Sequence, residues 1–136
     1  MPARTGQQYI DGLSENPAEV WIRGERVDDV TTHPSFQNGV RSLAALYDQQ
    51  HDSATKDAMT FKSPSSGEPV GLSFIIPKTI DDLVKRREMM THWAWESCGM
   101  MARTPDFLNN AVSGWAGSSD YFSDNRPEFK DNVLRY

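Results

Sequence analysis

One arginine stands directly before a helix-start motif, in the stretch MARTPDF at residues 101–107. Thr104 is a favoured N-cap residue and Pro105 a favoured first helical residue, so a helix is predicted to begin there. The backbone N–H groups at such a start point outward, where the helix dipole favours an anion. Arg103 would add a full positive charge, so the pattern suits a phenolate or carboxylate oxygen. The alternative is that Arg103 pairs with Asp106 or lies in solvent.

Other chemically capable residues form no recognisable group. His33, His51 and His92 are far apart in the sequence, and none has a metal-ligand spacing to Cys98 or to a carboxylate, so no metal site is predicted. Cys98 falls on the apolar stripe of a predicted helix. A buried, inert thiol is therefore expected there rather than a reactive one.

Methionines and tryptophans cluster in the second half of the chain. The methionines are Met89, Met90, Met100 and Met101, and the tryptophans are Trp93, Trp95 and Trp115. We expect the methionines to fill the core rather than to form a cofactor site. The indoles are expected to pack in the core or an interface, although indole faces can also wall a flat aromatic ligand.

Composition limits the function classes. The chain has 136 residues, a net charge of −5, a single cysteine and a mean hydropathy of −0.62. This size predicts one domain, and the acidic balance disfavours nucleic-acid binding. The single cysteine, the lack of a long apolar run and an N-terminus unlike a signal peptide predict a cytoplasmic protein without a membrane span.

Hydrophobic periodicity and turn residues predict a mainly α-helical domain with two short β-hairpins. Helices are expected over residues 5–15, 35–51 and 79–101, and from residues 104 and 127 onward. One hairpin turns around Gly24. The other joins two extended segments through residues 64–67, and Leu72 to Ile76 is expected to be a strand buried on both faces.

Capping residues, ion pairs and apolar stripes are also predicted within these helices. Thr5 with Gln8 and Thr79 with Asp82 have capping-box spacing, and Ser35 is expected to cap the second helix. Two exposed ion pairs are expected, Asp81 with Lys85 and Asp82 with Arg86. The expected inward residues are Phe36, Val40, Leu43, Ala44 and Tyr47 on the second helix, Leu83, Met90, Ala94, Cys98 and Met101 on the longest, and Leu108, Ala111, Val112 and Trp115 on the next.

The last predicted helix, PEFKDNVLRY from Pro127, stops in mid-pattern without a capping residue. This favours a segment of a longer protein. A short native C-terminal helix docked on the domain is the alternative.

Three segments resemble a known family: DDVTTHPSFQNGVRSLAALYDQQHD, GLSFIIPKTIDDLVKRREMM and GMMARTPDFLN. They are similar to the large oxygenase component of two-component 4-hydroxyphenylacetate 3-monooxygenases, and the similarity runs from Thr5 through Tyr136 in the same order. The resemblance implies an acyl-CoA-dehydrogenase-like fold, of which residues 1–136 would be the N-terminal helical domain alone. A middle β-domain and a C-terminal helical bundle that forms homotetramers would lie outside this chain.

The resemblance also implies a mechanism. Such enzymes use O2 and reduced FAD from a separate flavin reductase to hydroxylate the carbon ortho to a phenol oxygen. In the motif R-[TS]-P-D-Y the arginine is the cation beside that oxygen, and Arg103 occupies its position. The motif's tyrosine donates a hydrogen bond to the same oxygen, but Phe107 stands here. The substrate is then expected to be 4-hydroxyphenylacetate or a related phenol.

The resemblance implies that the family's partner histidine and most flavin contacts lie beyond this chain, and it leaves any flavin-contacting residue within the chain unknown. The chain by itself is therefore expected to bind no FAD tightly and to be inactive. Two other functions remain open. One is a non-catalytic interaction module or remnant of the family. The other is a lyase similar to 4-hydroxybutyryl-CoA dehydratases, which is disfavoured because one cysteine is too few for their iron–sulfur cluster.

Overall fold

The computed structural model describes residues 2–100 and 106–135, and it is mainly helical with two small antiparallel sheets. In chain order the elements are α1 (Gly6–Glu15), β1 (Val20–Ile22), β2 (Glu25–Val27), α2 (Gln37–Asp48), α3 (Lys56–Met59), β3 (Thr60–Lys62), β4 (Pro69–Gly71), a 3-10 turn (Leu72–Phe74), α4 (Ile80–Glu96), α5 (Asp106–Gly117), α6 (Ser119–Ser123) and α7 (Pro127–Arg135).

The N-terminal helix begins at the predicted capping box. Thr5 Oγ1 accepts a hydrogen bond from Gln8 N at 3.1 Å, and Thr5 N donates to Gln8 Oε1 at 2.9 Å. The start of α1 packs closely on α2, because a Cβ on Gly6 would lie 2.5 Å from Ala44 O. Gly6 N also donates to Asp48 Oδ1 at 2.7 Å, so this end of α1 is fastened to the end of α2.

Both predicted hairpins are present. In the first, Val20 pairs with Val27, and the turn carries positive φ angles at Arg23 and Gly24, as a tight hairpin turn requires. In the second, β3 pairs antiparallel with β4.

One buried cluster holds these elements together. Its members come from α2, α3, the 3-10 turn and α4: Leu46, Met59, Leu72, Met89 and Trp93. Trp93 also donates its indole N–H to Leu46 O at 3.0 Å, which satisfies the polar atom of a buried aromatic ring. The expected core role of the methionines is confirmed for Met89, whereas Met100 is 61% exposed.

The second helix starts one residue later than expected. Its N-cap is Phe36, which makes no side-chain cap hydrogen bond, so the prediction that Ser35 caps it is wrong. Ser35 lies in a turn centred on His33, where its N–H donates to His33 Nδ1 at 3.1 Å. The helix ends at Asp48 rather than near residue 51.

The expected strand over Leu72 to Ile76 is also wrong. Leu72 and Ser73 are buried, but the backbone turns into a 3-10 turn, and Phe74 and Ile76 are 57% and 43% exposed. The partner strand explains this, because β3 pairs with β4 only as far as Gly71. Beyond that point Ile75 N bonds to Leu72 O at 3.1 Å instead of to a neighbouring strand.

The longest helix ends earlier than predicted. Gly99 N donates to Ala94 O at 2.8 Å, and Cys98 and Gly99 have φ angles of 51° and 81°, which is a Schellman-type end. The chain therefore leaves the helix after Glu96. Cys98 is exposed, so the expectation of a buried thiol is wrong.

The inward face of α4 also differs from the prediction. Met89 and Trp93 are buried at 0% and 2% exposure, whereas Leu83 is 52% exposed and Trp95 82% exposed. The buried stripe of α4 thus lies on a different side of the helix from the predicted one. The expected inward positions of Leu83 and Cys98 are wrong.

The two ion pairs expected on α4 are not formed. Among the described residues the ion pairs are Arg126 with Glu128 and Lys130 with Asp120. Asp82 instead completes the capping box, accepting from Thr79 N at 3.0 Å, and the guanidinium of Arg86 turns toward α5. The predicted cap at the start of α4 is therefore confirmed, and the predicted pairs are wrong.

Candidate functional site

The predicted anion site lies at the start of α5. Arg103, Thr104 and Pro105 fall outside the described residues, so the anion-site hypothesis at Arg103 stays a prediction. Phe107 is described; it lies on the first turn of α5 and its side chain is 53% exposed.

Helix α5 presents its apolar side outward. Phe107, Leu108 and Trp115 are 53%, 68% and 56% exposed, and we call these three residues the α5 apolar face. On the other side Asn110 and Ser113 are buried, at 8% and 7% exposure. The prediction that Leu108 and Trp115 pack inward is therefore wrong, while Ala111 and Val112 are half-buried.

A charged clamp explains why polar residues face inward. Arg86 Nε donates to Asn110 Oδ1 at 2.9 Å, and Arg86 Nη2 donates to Asn110 O at 2.7 Å. Ser113 Oγ donates to Ser73 O at 3.2 Å, which ties α5 to the 3-10 turn. These bonds satisfy polar groups that would otherwise be costly to bury.

The clamp places a second cation beside α5. Burial lowers the pKa of Arg86 from its ordinary value, but its partner is a neutral amide rather than a carboxylate. An arginine stays protonated at neutral pH even when partly desolvated. Its positive charge is therefore not neutralised by Asn110, which is an amide, and the charge lies beside the second turn of α5.

Three residues that orient α5 were not predicted from the sequence: Arg86, Asn110 and Ser113. One signal was present, because Asn110, Ser113 and Gly117 are small or polar residues at spacings of three and four along one helix face. A Cβ on Gly117 would lie 3.1 Å from Pro77 O, so this face packs closely.

The α5 apolar face can wall a flat aromatic ring, but it does not enclose one. Open grooves of about 410 Å³ occur elsewhere among the described residues, and the α5 apolar face lines none of them. An exposed face that forms only one wall of a site is expected where further polypeptide supplies the other walls. We assign no flavin-binding residue to this chain.

The described residues were also compared with what a membrane-spanning helix and a metal site require. No helix in the described ranges is long and apolar enough to cross a membrane. Within the same ranges, no three residues among His, Cys, Asp and Glu are grouped in a way that could hold a metal ion.

Comparison with known proteins identifies the family. The sequence model described as "4-hydroxyphenylacetate 3-hydroxylase N terminal" matches residues 5–136. The oxygenase component of 4-hydroxyphenylacetate 3-monooxygenase from Geobacillus sp. (strain PA-9) is 47% identical over 136 residues, covering 100% of this chain and 27% of that relative.

Solved structures agree with the sequence match. The oxygenase component (HpaB) of 4-hydroxyphenylacetate 3-monooxygenase, complexed with FAD and 4-hydroxyphenylacetate, superposes with a TM-score of 0.84 at 45% identity, covering 98% of this chain and 27% of that one. An archaeal 4-hydroxybutyryl-CoA dehydratase from N. maritimus superposes with a TM-score of 0.73 at 19% identity, covering 96% of this chain and 26% of that one, which shows a shared fold alone.

These matches confirm the expected fold class, a mainly helical domain of the acyl-CoA-dehydrogenase-like type. The chain spans about 27% of the length of the relatives it matches. The match of residues 5–136 to the family model and the 47% identity across the chain lead to one conclusion: the chain belongs to the 4-hydroxyphenylacetate 3-hydroxylase N-terminal family.

Proposed function

We propose that this chain acts as the N-terminal domain of a reduced-flavin-dependent monooxygenase that hydroxylates 4-hydroxyphenylacetate or a related phenol ortho to its ring oxygen. The observation that carries the proposal is the 47% identity over all 136 residues to the Geobacillus oxygenase component. The outward α5 apolar face supports it, because an exposed aromatic surface at the start of α5 suits contact with a substrate ring.

Arg103 is the proposed catalytic cation. An ionised phenol oxygen donates electron density into its ring and makes the ortho carbon more nucleophilic. A guanidinium beside that oxygen stabilises the ionised form. Reduced FAD, reacting with O2, supplies the oxygen atom that the ring accepts. Phe107 contributes an apolar wall next to the ring, without the hydroxyl that the family tyrosine provides.

The remaining parts of the proposal concern partners. Residues 1–136 form one domain, and the middle β-domain and C-terminal helical bundle of the family complete the site and the homotetramer. A separate flavin reductase delivers reduced FAD, and the protein works in the cytoplasm. The 27% coverage of the relatives supports this division, because the structures with bound FAD are of much longer chains.

A chimera tests the function. This chain would replace the matching segment of the Geobacillus oxygenase component, and hydroxylation of 4-hydroxyphenylacetate would be assayed with reduced FAD and O2. We expect turnover by the chimera, and we expect Arg103→Ala to lower kcat/KM by about a hundredfold, as for loss of a charge-stabilising group. Arg26→Ala, at an exposed position on β2, is the matched control and should leave kcat/KM unchanged.

Two outcomes would contradict the proposal. Equal activity of the Arg103→Ala chimera would remove the role of that residue. A folded, tetrameric chimera that binds FAD but forms no hydroxylated product would favour a non-catalytic interaction module.

A further inference from the structure

An open groove separate from the α5 apolar face lies between the N-terminal segment, the end of α2, the 3-10 turn and α5. It encloses about 400 Å³, which is in the size range of small-molecule sites. The residues that line it include Arg4, Tyr47, Gln50, Ser73, Trp93 and Asn109.

This groove is distinct from the proposed phenol site. Asn109 lines the groove, and Phe107 precedes it by two residues on the same helix. Because an α-helix turns by about 100° per residue, two such positions point in roughly opposite directions. A ligand in the groove would therefore contact the opposite side of α5 from Phe107.

The one charged residue lining the groove is a cation. The guanidinium carbon of Arg4 lies 5.6 Å from the centroid of the Tyr47 ring, which holds the cation over the aromatic face. Among the described residues, the carboxylates that form ion pairs are Glu128 and Asp120, and neither pairs with Arg4. The charge of Arg4 is thus open to an anion entering the groove.

The side-chain amides that line the groove offer hydrogen-bond donors as well as acceptors. Gln50 is only 7% exposed, and its Nε2 donates to Tyr47 O at 3.4 Å. Asn109 Nδ2 donates to Ser73 Oγ at 3.4 Å. Each amide nitrogen carries two N–H groups, so each keeps a second donor for a ligand.

The phenol of Tyr47 adds a further donor. Burial raises its pKa above the ordinary value of 10.0, more than the nearby Arg4 lowers it. At neutral pH the group is therefore an O–H donor and not a competing anion.

The floor and rim are apolar. Trp93 lies beneath the groove, is 2% exposed and already uses its indole N–H on Leu46 O, so it offers a ligand no free polar atom. Phe74, at the rim, is 57% exposed. A cation with several N–H and O–H donors beside aromatic walls matches a ligand that has a negative head and a flat apolar body.

We propose that this groove binds small organic carboxylates with a flat apolar body, with the carboxylate at Arg4 and the body against Phe74. The inference does not depend on the proposed monooxygenase activity. It would give the domain a second, non-catalytic ligand site.

A titration of the 136-residue chain with phenylacetate tests the proposed carboxylate site. Binding is monitored by backbone amide NMR shifts and by calorimetry. We expect saturable shifts at Arg4, Gln50 and Ser73, and weaker binding of the neutral isostere phenylacetamide. Arg4→Gln should raise the Kd for phenylacetate by about tenfold or more, since it removes a charged hydrogen-bond donor. Arg26→Gln, which removes an exposed charge on β2, is the matched control and should leave the Kd unchanged.

A second variant keeps the shape of the groove and changes its charge. Gln50→Glu is isosteric, and it should abolish phenylacetate binding while phenylacetamide binds as before. Circular dichroism verifies that each variant is folded. Shifts confined to Phe107, Leu108 and Trp115, equal binding of the acid and the amide, or equal loss in Arg4→Gln and Arg26→Gln would each overturn the proposal.

Discussion

At the scale of single residues, Asp82 stabilises the start of α4 by a local network. Its Oδ2 accepts hydrogen bonds from Lys78 N at 2.9 Å and Thr79 N at 3.0 Å. The backbone N–H of Lys78, followed by the side-chain hydroxyl of Thr79, lowers the pKa of Asp82 below its ordinary value of 3.8. The folded state therefore stabilises the ionised carboxylate of Asp82, and ionisation of this carboxylate in turn stabilises the folded state.

We predict that this stabilisation depends on pH. Because the folded pKa is lower than the unfolded one, the contribution is complete well above pH 3.8 and is lost as the pH falls through the folded pKa. Asp82→Ala should thus be less stable than the parent chain at neutral pH, and the difference should shrink in acid. Urea unfolding over a pH series measures it. Asp81→Ala, which removes a neighbouring first-turn carboxylate outside the capping box, is the matched control and should lower the stability at neutral pH less than Asp82→Ala does.

Phe107 is the second residue with a testable role. It stands where the family motif has a tyrosine. Its side chain is 53% exposed, so an added hydroxyl would not be buried among apolar groups. In the Geobacillus chimera, Phe107→Tyr should raise kcat/KM for 4-hydroxyphenylacetate by about tenfold or more, because it adds a hydrogen bond to a charged oxygen.

Steady-state kinetics provide the measurement for Phe107→Tyr. Phe129→Tyr adds a hydroxyl at an exposed aromatic position on α7, outside the α5 apolar face and the groove at Arg4, and should leave kcat/KM unchanged. Equal effects of the two substitutions would show that Phe107 does not face the substrate.

At the scale of elements, α5 is oriented by the Arg86 clamp rather than by apolar burial. The guanidinium makes two hydrogen bonds to Asn110, across 24 positions of the sequence. Asn110 is itself buried, so its two carbonyl oxygens depend on this partner, while its Nδ2 has no hydrogen-bond partner among the described residues. The orientation of α5, and with it the position of Phe107, therefore rests on a side chain from α4.

We predict that Arg86→Ala lowers the free energy of unfolding by about 2 kcal/mol, since it leaves buried acceptors without their charged donor. Arg86→Lys should not restore the loss, because an ammonium lacks the planar fork that reaches two acceptors. Chemical unfolding with circular dichroism measures both. Arg87→Ala, at the exposed neighbouring position, should change stability little, and an equal loss there would contradict the clamp.

At the scale of the whole molecule, large apolar side chains remain on the surface of two helices. On α4 they include Ile80 and Trp95, at 78% and 82% exposure, and on α5 they form the α5 apolar face. Several exposed large apolar side chains on one element are typical of an interaction or ligand surface. The chain spans 27% of the length of its relatives, which supports the proposal that further polypeptide covers part of this surface.

The exposed surface predicts an unusual pair of mutational effects. The double substitution Leu108→Gln and Trp115→Gln should leave the free energy of unfolding nearly unchanged and should reduce binding of a hydrophobic dye such as ANS. Met89→Ala, in the fully buried core, should instead cost about 2–5 kcal/mol. If the double variant were as unstable as Met89→Ala, the α5 apolar face would have to be buried.

The open grooves predict the behaviour of the chain alone. Because the described residues form no enclosure around the α5 apolar face, we expect neither tight FAD binding nor hydroxylation by the 136-residue chain. Flavin fluorescence titration and product analysis with reduced FAD measure this, with the full-length Geobacillus oxygenase component as positive control. Hydroxylated product from the chain alone would overturn the expectation.

Local signals in the sequence were sufficient for several features. The capping boxes at Thr5 and Thr79 and the turn at Gly24 depend on residues within three or four positions, so their patterns predicted the structure correctly. The motif segments were sufficient for the family. The role of Arg103 was inferred from the same motif and stays a prediction.

Only the tertiary structure decided which surfaces are buried. Periodicity identifies an apolar stripe on α5, but it cannot distinguish a stripe that faces the core from one that faces solvent or a partner. The inward face of α5 is polar because Arg86 supplies distant hydrogen bonds to it, and Leu72 to Ile76 turns because its strand partner ends. Both outcomes depend on contacts between residues far apart in the chain, which no local pattern encodes.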